Sequence, residues 1–335
     1  MSLLLLNEDE LRQIVTMSEA IDAVKAAFSA LAEGRIDLPG DFSLKLPEKK
    51  GEVQVQGTYL KKAPYYMVKV SSYFQDNIDL NLPNQSGLTC VFDADTGFPA
   101  AIMVDNGYLA MIRCAAAGAL AADYLANHQL AHVAVIGSGY PAYMQLKALM
   151  TVRTVRSVSV WAPSRISADN YALSMIEEYD VDVNIAPSIE AAVRPADLII
   201  TASGSQQPLV KAEWLKPGVH ITSVGCNGLV KQELHVDVLA RADVIITDRF
   251  SQCAAFGEIS HGLAAGLISK ADVQGELGDL IIGAIPGRTD AGQITLADLT
   301  GLDGHDTVVA THALQKAKFL GLGQRVAEPS LVKQL

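Results

Sequence analysis

The 335-residue chain has only four cysteines, Cys90, Cys114, Cys226 and Cys253, and they lie far apart. With no C-x-x-C pair, neither a disulfide framework nor a zinc site is expected, and a reducing cytoplasm fits. Positive charge is also scarce: 26 Lys and Arg stand against 37 Asp and Glu, a formal net charge of −11. Such a surface repels phosphate backbones and anionic lipid, so neither nucleic acid nor a membrane is an expected partner. A local cationic pocket for a small anion stays open. No apolar run approaches the ~18 residues of a membrane helix. The Leu3–Leu6 run is too short for a signal core, follows no basic residue and runs into Asn7-Glu8-Asp9-Glu10. Internal repeats and low-complexity stretches are absent from the sequence.

What is present is ample apolar material, 50% of residues against 19% charged. That composition builds cores and argues against disorder. At roughly 100–200 residues per domain the length predicts two domains, in series or as a discontinuous pair. Asn7 with Glu10 and Thr16 with Glu19 have capping-box spacing. Behind the second, Ile21, Val24, Phe28 and Leu31 recur at helical period, with Gly34 as the stop. The period then changes. Val53, Val55 and Tyr59 predict a strand, Tyr65 to Phe74 another, and Leu88–Asp93 with Pro99–Val104 a hairpin around Asp93-Ala94-Asp95-Thr96-Gly97. Helix followed by consecutive strands is an α+β signature, read as antiparallel.

Leu109 to Ala126 reads as a close-packing helix with Ala115, Ala116, Ala119 and Ala122 on it. From His132 onward, apolar runs at 132–136, 157–161, 197–201, 219–224 and 243–247 alternate with helical segments. That rhythm predicts a buried, doubly wound parallel sheet. A last helix, Asp306 to Leu320, has the reach to return to the first region. The expected fold is therefore α/β: a Rossmann-type domain over 126–305, and an α+β domain over 1–125 completed by 306–335.

His132-Val-Ala-Val-Ile-Gly137-Ser-Gly139-Tyr140-Pro141-Ala142 is strand, glycine turn and helix in the G-x-G-x-x-A form of a dinucleotide site. Gly137 permits the bend, Gly139 lets backbone approach the pyrophosphate, and Ala142 keeps helix and sheet close. The helix N-terminus offers amides and a positive dipole end. The second strand runs Val160-Trp161-Ala162-Pro163-Ser164-Arg165, without the carboxylate that holds a ribose diol. A hydroxyl followed by a guanidinium suits a 2′-phosphate, so NAD(P) is expected with a lean to NADP. The alternative is that Ser164 caps a helix and Arg165 is solvated. Ala202 and Ser203, Val224 and Gly225, and Lys231 complete the expected cofactor set.

Two cations stand out in the first region. Lys69 lies on the strand face opposite Val68 and Val70, a position that in most sheets is the solvent face. Arg113 sits among Leu109, Ile112, Ala115 and Ala116 and needs a partner: a substrate carboxylate, a cofactor phosphate or a structural acid. Val224-Gly225-Cys226-Asn227-Gly228 follows a strand at the ligand-binding edge, with Glu233 shortly after. Histidines 220, 235, 261, 305 and 312 show no metal spacing, and neither a G-x-S-x-G nor a Cys/His hydrolase pattern occurs.

Together these residues resemble the ornithine cyclodeaminase/mu-crystallin superfamily over nearly the whole chain. The landmarks are Val68-Lys69-Val70, Asp95-Thr96-Gly97, Leu109 to Ala117 around Arg113, Gly137-Ser-Gly139, Lys231-Gln-Glu233-Leu234, Ala242-Asp243 with Thr247-Asp248, Gly257-Glu258 and Gly301 to Asp306. Gly51 to Leu125 is most similar to the cyclodeaminase-like proteins of ectoine utilisation. The resemblance implies that the domain over 1–125 and 306–335 is a substrate and dimerisation domain. It implies a homodimer, and implies that Lys69 and Arg113 hold a substrate carboxylate beside the nicotinamide. It also implies cofactor contacts from Arg113 and Ser86, and a substrate contact from Gly301.

Three departures matter. The family's further carboxylate-binding arginine has no counterpart, since none occurs between Arg35 and Arg113; Lys45 is the nearest substitute. The usual glutamine of the glycine turn is Pro141. Cyclodeaminases place an aspartate where this chain has Asn227, and an amide orients groups but takes no proton from an attacking amine. The expected activity is hydride exchange between NAD(P)(H) and the α-carbon of an imino or amino acid. Arg113 is the clamp, Lys69 is clamp and proton donor with a lowered pKa, and Asn227 orients the nitrogen. The alternatives are an ammonia-releasing cyclodeaminase with catalytic NAD, and a non-catalytic NADP-dependent binding protein.

Overall fold

The computed structural model describes residues 3–37, 42–228 and 230–326; the end of the expected return segment, 327–335, lies outside the described residues. The chain divides into two compact units, Met1–Arg113 with Asp303–Leu335, and Cys114–Leu302. The division falls at Arg113, inside the helix after which the sequence places it.

The first unit opens with β1 (Leu3–Asn7), α1 (Glu8–Ile14) and α2 (Met17–Ala32). Both capping boxes form. Asn7 Oδ1 accepts the Glu10 N–H at 2.9 Å and Glu10 accepts the Asn7 N–H at 2.9 Å; Thr16 and Glu19 repeat the exchange. Gly34, at φ +67°, follows the end of α2. The strands β2 (Ile36–Asp37), β3 (Phe42–Leu46), β4 (Gly51–Leu60), β5 (Tyr65–Phe74), β6 (Gln85–Asp93) and β7 (Pro99–Val104) follow, and α3 (Tyr108–Leu125) carries the chain out of the unit. The β6–β7 turn is tied by Asp93 Oδ1, which accepts from the N–H groups of Asp95 and Thr96.

In the second unit the strands are β8 (Leu130–Ile136), β9 (Val155–Trp161), β10 (Asp182–Ile185), β11 (Leu198–Thr201), β12 (His220–Ser223), β13 (Val244–Thr247), β14 (Gly275–Glu276) and β15 (Thr295–Asp298). The helices are α4 (Tyr140–Val152), α5 (Arg165–Glu178), α6 (Ile189–Val193), α7 (Val236–Arg241), α8 (Phe250–Phe256), α9 (Glu258–Ala264) and α10 (Leu277–Ile281). The chain then returns to the first unit as α11 (Asp303–Leu320) and β16 (Gln324–Val326).

The first sheet runs β16-β1-β7-β6-β5-β4-β2, with β3 also on β4. It is mixed rather than wholly antiparallel, because β1 pairs with β7 in parallel. The Leu3–Leu6 run is this strand, its alternate residues Leu4 and Leu6 buried. Helix α11 packs against α2, β4 and β5. That cover inverts the expected faces of β5. Met67 is buried and the Lys69 side chain is only 13% exposed, whereas Val68 and Val70 are half-buried. The register continues this open apolar face through Val53, Val55, Leu88 and Phe92.

The second sheet is parallel throughout, in the order β10-β9-β8-β11-β12-β15-β13-β14. Strand order reverses between β8 and β11, the switch point beside which nucleotides bind in doubly wound folds. Its core is aliphatic, with Ile136, Ile199, Ile221, Ile245 and Leu296 almost wholly buried. The five apolar runs are β8, β9, β11, β12 and β13; β15, inserted between β12 and β13, carried no separate signal. Helix α3 corrects another expectation, being long and apolar enough by length and composition to cross a membrane. Its 18-residue window is 67% buried inside the structure, as a core helix is.

Candidate functional site

In the first unit Lys69 projects from β5 and Arg113 from the first part of α3, and both reach one carboxylate. Asp306, in the first turns of α11, accepts from Lys69 Nζ at 2.5 Å through Oδ2 and from Arg113 Nε at 2.9 Å through Oδ1. Their side chains are 13%, 10% and 3% exposed respectively. Burial alone would raise the Asp306 pKa, but the Arg113 and Lys69 charges hold it below the ordinary aspartate value. Asp105, also buried, accepts the Leu109 N–H at 2.9 Å. Burial pushes its carboxyl up, and the nearby Asp306 charge adds to that. His305 packs on Phe28 with ring centroids 4.1 Å apart, and burial and Arg113 push its pKa down to about 3, leaving it neutral. Lys69 and Arg113 are cations of the kind that hold a small carboxylate.

Three expected substrate or cofactor contacts are not part of this cluster. Lys45 is exposed on β3, where it pairs with Glu52, whereas Lys69 pairs with Gln56. At about 3.3 Å per residue and about 4.8 Å per strand, roughly 16 Å separates their backbone positions. Ser86 is exposed and pairs with Ser72, which shares a face with Val70 and not with Lys69. Gly301 belongs to the other unit, at φ +89°, with its N–H given to Asp248 Oδ2 at 2.6 Å and its carbonyl accepting from Gln252. That N–H is not available to a ligand.

In the second unit the glycine turn leaves the carboxyl end of β8. Gly137 stands at φ +124° and donates to the Trp161 carbonyl at 2.8 Å; a Cβ there would lie 2.5 Å from the Ala202 carbonyl oxygen. Glycine is therefore required by the protein itself at this position. Gly139 differs. A Cβ there would meet nothing closer than Pro141 Cδ at 3.5 Å, so the protein leaves that side open. No side chain caps α4 at Gly139, and Tyr140, Pro141 and Ala142 form its first turn. Pro141 lacks an N–H, so the anion-binding end of this helix has one amide fewer than a glutamine would leave it. The cradle, the helix end and the switch point fit a dinucleotide pyrophosphate.

The loops beyond β11 and β12 are joined by one buried carboxylate. Glu233 Oε1 accepts the Ser203 N–H at 2.5 Å and the Ser203 hydroxyl at 2.7 Å, while Oε2 accepts the Gly225 N–H at 2.9 Å. A Cβ on Gly225 would sit 2.4 Å from Glu233 and from the Ser203 carbonyl, which explains the glycine. Ala202, Ser203, Val224 and Gly225 are thereby held at the carboxyl edge of the sheet. Glu258 in turn accepts the N–H groups of Glu233 and Leu234. Asn227 is exposed, and its Oδ1 accepts from Lys231 Nζ at 2.7 Å, so two expected site residues meet.

Ser164 caps α5 by accepting the Ser167 N–H, and Arg165 is 70% exposed and paired with Asp169 at 3.1 Å. Both residues thus make the contacts of the alternative reading. Among the described residues no group of three His, Cys, Asp or Glu is placed to hold a metal.

A model of the ornithine cyclodeaminase/mu-crystallin family matches residues 2–319. The chain belongs to that family. Among its relatives, the alanine dehydrogenase of Archaeoglobus fulgidus is 32% identical over 326 residues, 97% of this chain and 98% of that protein. The Thermococcus litoralis Δ1-pyrroline-2-carboxylate reductase in complex with NADH and L-proline superposes with a TM-score of 0.92 at 27% identity, covering 96% and 100% of the two chains. An archaeal alanine dehydrogenase dimer with bound NAD gives 0.91 at 32% identity, covering 98% and 99%.

Sequence reasoning missed the roles of Asp306, Asp105 and Glu233. Asp306 had a signal, since a buried Arg113 demanded an acid and the Gly301–Asp306 landmark of the family ends on one. Asp105 had only its place before a helix, as a cap. Glu233 stood in the Lys231-Gln-Glu233-Leu234 landmark, but its role was not legible there, because its partners are groups brought in from two other loops.

Proposed function

We propose that this family member is an NAD(H)-dependent oxidoreductase acting on the α-carbon of a small imino or amino acid. The observation that carries the reading is the convergence of Lys69 and Arg113 on one buried carboxylate, in a chain whose other unit holds an open glycine cradle. The names of the alanine dehydrogenase and of the pyrroline-carboxylate reductase with NADH support it. We take NAD(H) over the lean to NADP because the structural relatives are described with NADH and with NAD.

When bound, the nicotinamide supplies or accepts the hydride. Gly137, Gly139 and the first turn of α4 would hold the pyrophosphate by backbone amides and the dipole. Arg113 and Lys69 bind the substrate carboxylate and so orient the α-carbon. Asn227 carries an amide whose Oδ1 accepts from Lys231 Nζ. An amide supplies no base for ring closure, and this disfavours the cyclodeaminase reading.

The test is a panel of 2-oxo acids with ammonium, cyclic imino acids and ornithine, read as NADH and NADPH absorbance and as released ammonia. Stoichiometric NADH consumption with at least one imino acid is expected. Ammonia release from ornithine without net NADH turnover would move the function to cyclodeaminase, and neither signal would leave a binding protein. We also infer that a second copy covers the half-open apolar face of the first sheet, where Phe42 and Leu44 are 60% and 49% exposed. A monomeric mass by sedimentation at micromolar concentration would overturn that inference.

A further inference from the structure

Lys69 and Arg113 are both cations at a buried site, and each would depress the proton affinity of the other if they were alone. They are not alone. Asp306 places one oxygen on each, at 2.5 and 2.9 Å, and is itself 3% exposed. Among the described residues Asp105 also acts on Lys69 electrostatically, while Asp306 is the carboxylate shown in hydrogen-bond contact with it. Gln56 and Thr89, the cross-strand neighbours of Lys69, are uncharged. His305 stays neutral, and Asp105 already accepts the Leu109 N–H.

We propose that Asp306 is a positioning residue that keeps Lys69 an ammonium, so that Lys69 serves as a permanent cation for the substrate carboxylate and not as a proton donor. The physical basis is reciprocity. The charges that keep Asp306 ionised are favoured to the same extent by its own negative charge. A Lys69 relieved of a proton would leave the buried Asp306 without one of the two cations that balance it. This reverses the lowered lysine pKa that the sequence alone leads one to expect.

The inference rests on reading Lys69 as a carboxylate cation, so the experiment separates the two claims. The wild-type protein is labelled with an amine-reactive acylating reagent across a pH series, and modification of Lys69 is followed by mass spectrometry. Its midpoint should lie at or above the ordinary lysine value of about 10.4. In Asp306→Asn it should fall by about 1–3 units, and in Asp306→Glu it should be largely restored. A wild-type midpoint below the ordinary value overturns the proposal, even if Asp306→Asn does not fold. An unmoved midpoint in a folded Asp306→Asn also overturns it. The activity arm is Lys69→Arg, whose guanidinium releases no proton: the imino-acid KM should rise as the carboxylate contact changes, whereas a kcat loss of about 100-fold or more at saturating substrate with NADH binding intact would restore the donor role. If no panel substrate is reduced, the labelling result still decides what Asp306 does.

Discussion

Asp306 in the first unit and Glu233 in the second are both buried carboxylates, 2% and 0% exposed, yet they are balanced by different partners. Asp306 faces two side-chain cations and its pKa is held down. Glu233 faces the N–H groups of Ser203 and Gly225 and the Ser203 hydroxyl, and burial pushes its pKa up despite those bonds. Dipoles screen a buried charge less completely than full cations do. The difference separates their roles. Cations gathered on an acid are held in place for a ligand to use, whereas amides gathered on an acid fix the loops that own them. Asp298 extends the second pattern: it accepts the Ile259 N–H at 2.9 Å, and its Oδ1 has no partner among the described residues.

The largest expected break of this contrast is Glu233→Ala. It strips two buried N–H groups of their acceptor and should cost about 3 kcal/mol of stability. NADH affinity should fall with it, because the loops after β11 and β12 lose their common anchor. Urea unfolding and calorimetry read both quantities; a variant within about 0.5 kcal/mol of wild type would show that the loops hold themselves. The Gln variant keeps one acceptor oxygen and should lose less.

A smaller effect sharpens the contrast through pH. Burial pushes Asp298 from 3.8 up to about 7. Between those values the folded chain keeps a proton that the unfolded chain has released, so stability falls as pH rises through the window and levels off above about 7. His220 and His305, both pushed down to about 3 by burial, act oppositely below pH 6.5. Comparison with Asp298→Asn cancels their contribution. The Tm of that variant relative to wild type should climb between about pH 4 and pH 7 and then stay level. A gap that does not change with pH would mean that Asp298 is ionised throughout.

Much of the second unit was legible from local pattern. The apolar runs, Gly137 and the helix after it could each be read along the chain, although the contacts that fix Gly137 come from Trp161 and Ala202. The face of Lys69 was not legible. Alternation along β5 separates Lys69 from Val68 and Val70 but does not say which side α11 covers, and α11 comes from the far end of the sequence. Lys45 was not placed by local pattern either: the β3–β4 register sets it away from Lys69. Ser164 and Arg165 show the reverse, since the local contacts of cap and i,i+4 pair are the ones that form.

The sequence by itself determined the helix caps, the hairpin turn and the positions of the apolar runs, because each depends on residues a few positions apart. Only the tertiary structure decided what Lys69 and Arg113 touch. Asp306 lies 237 and 193 residues away from them along the chain. An ion pair over that separation is set by the packing of α11 on β4 and β5, and no local periodicity encodes it.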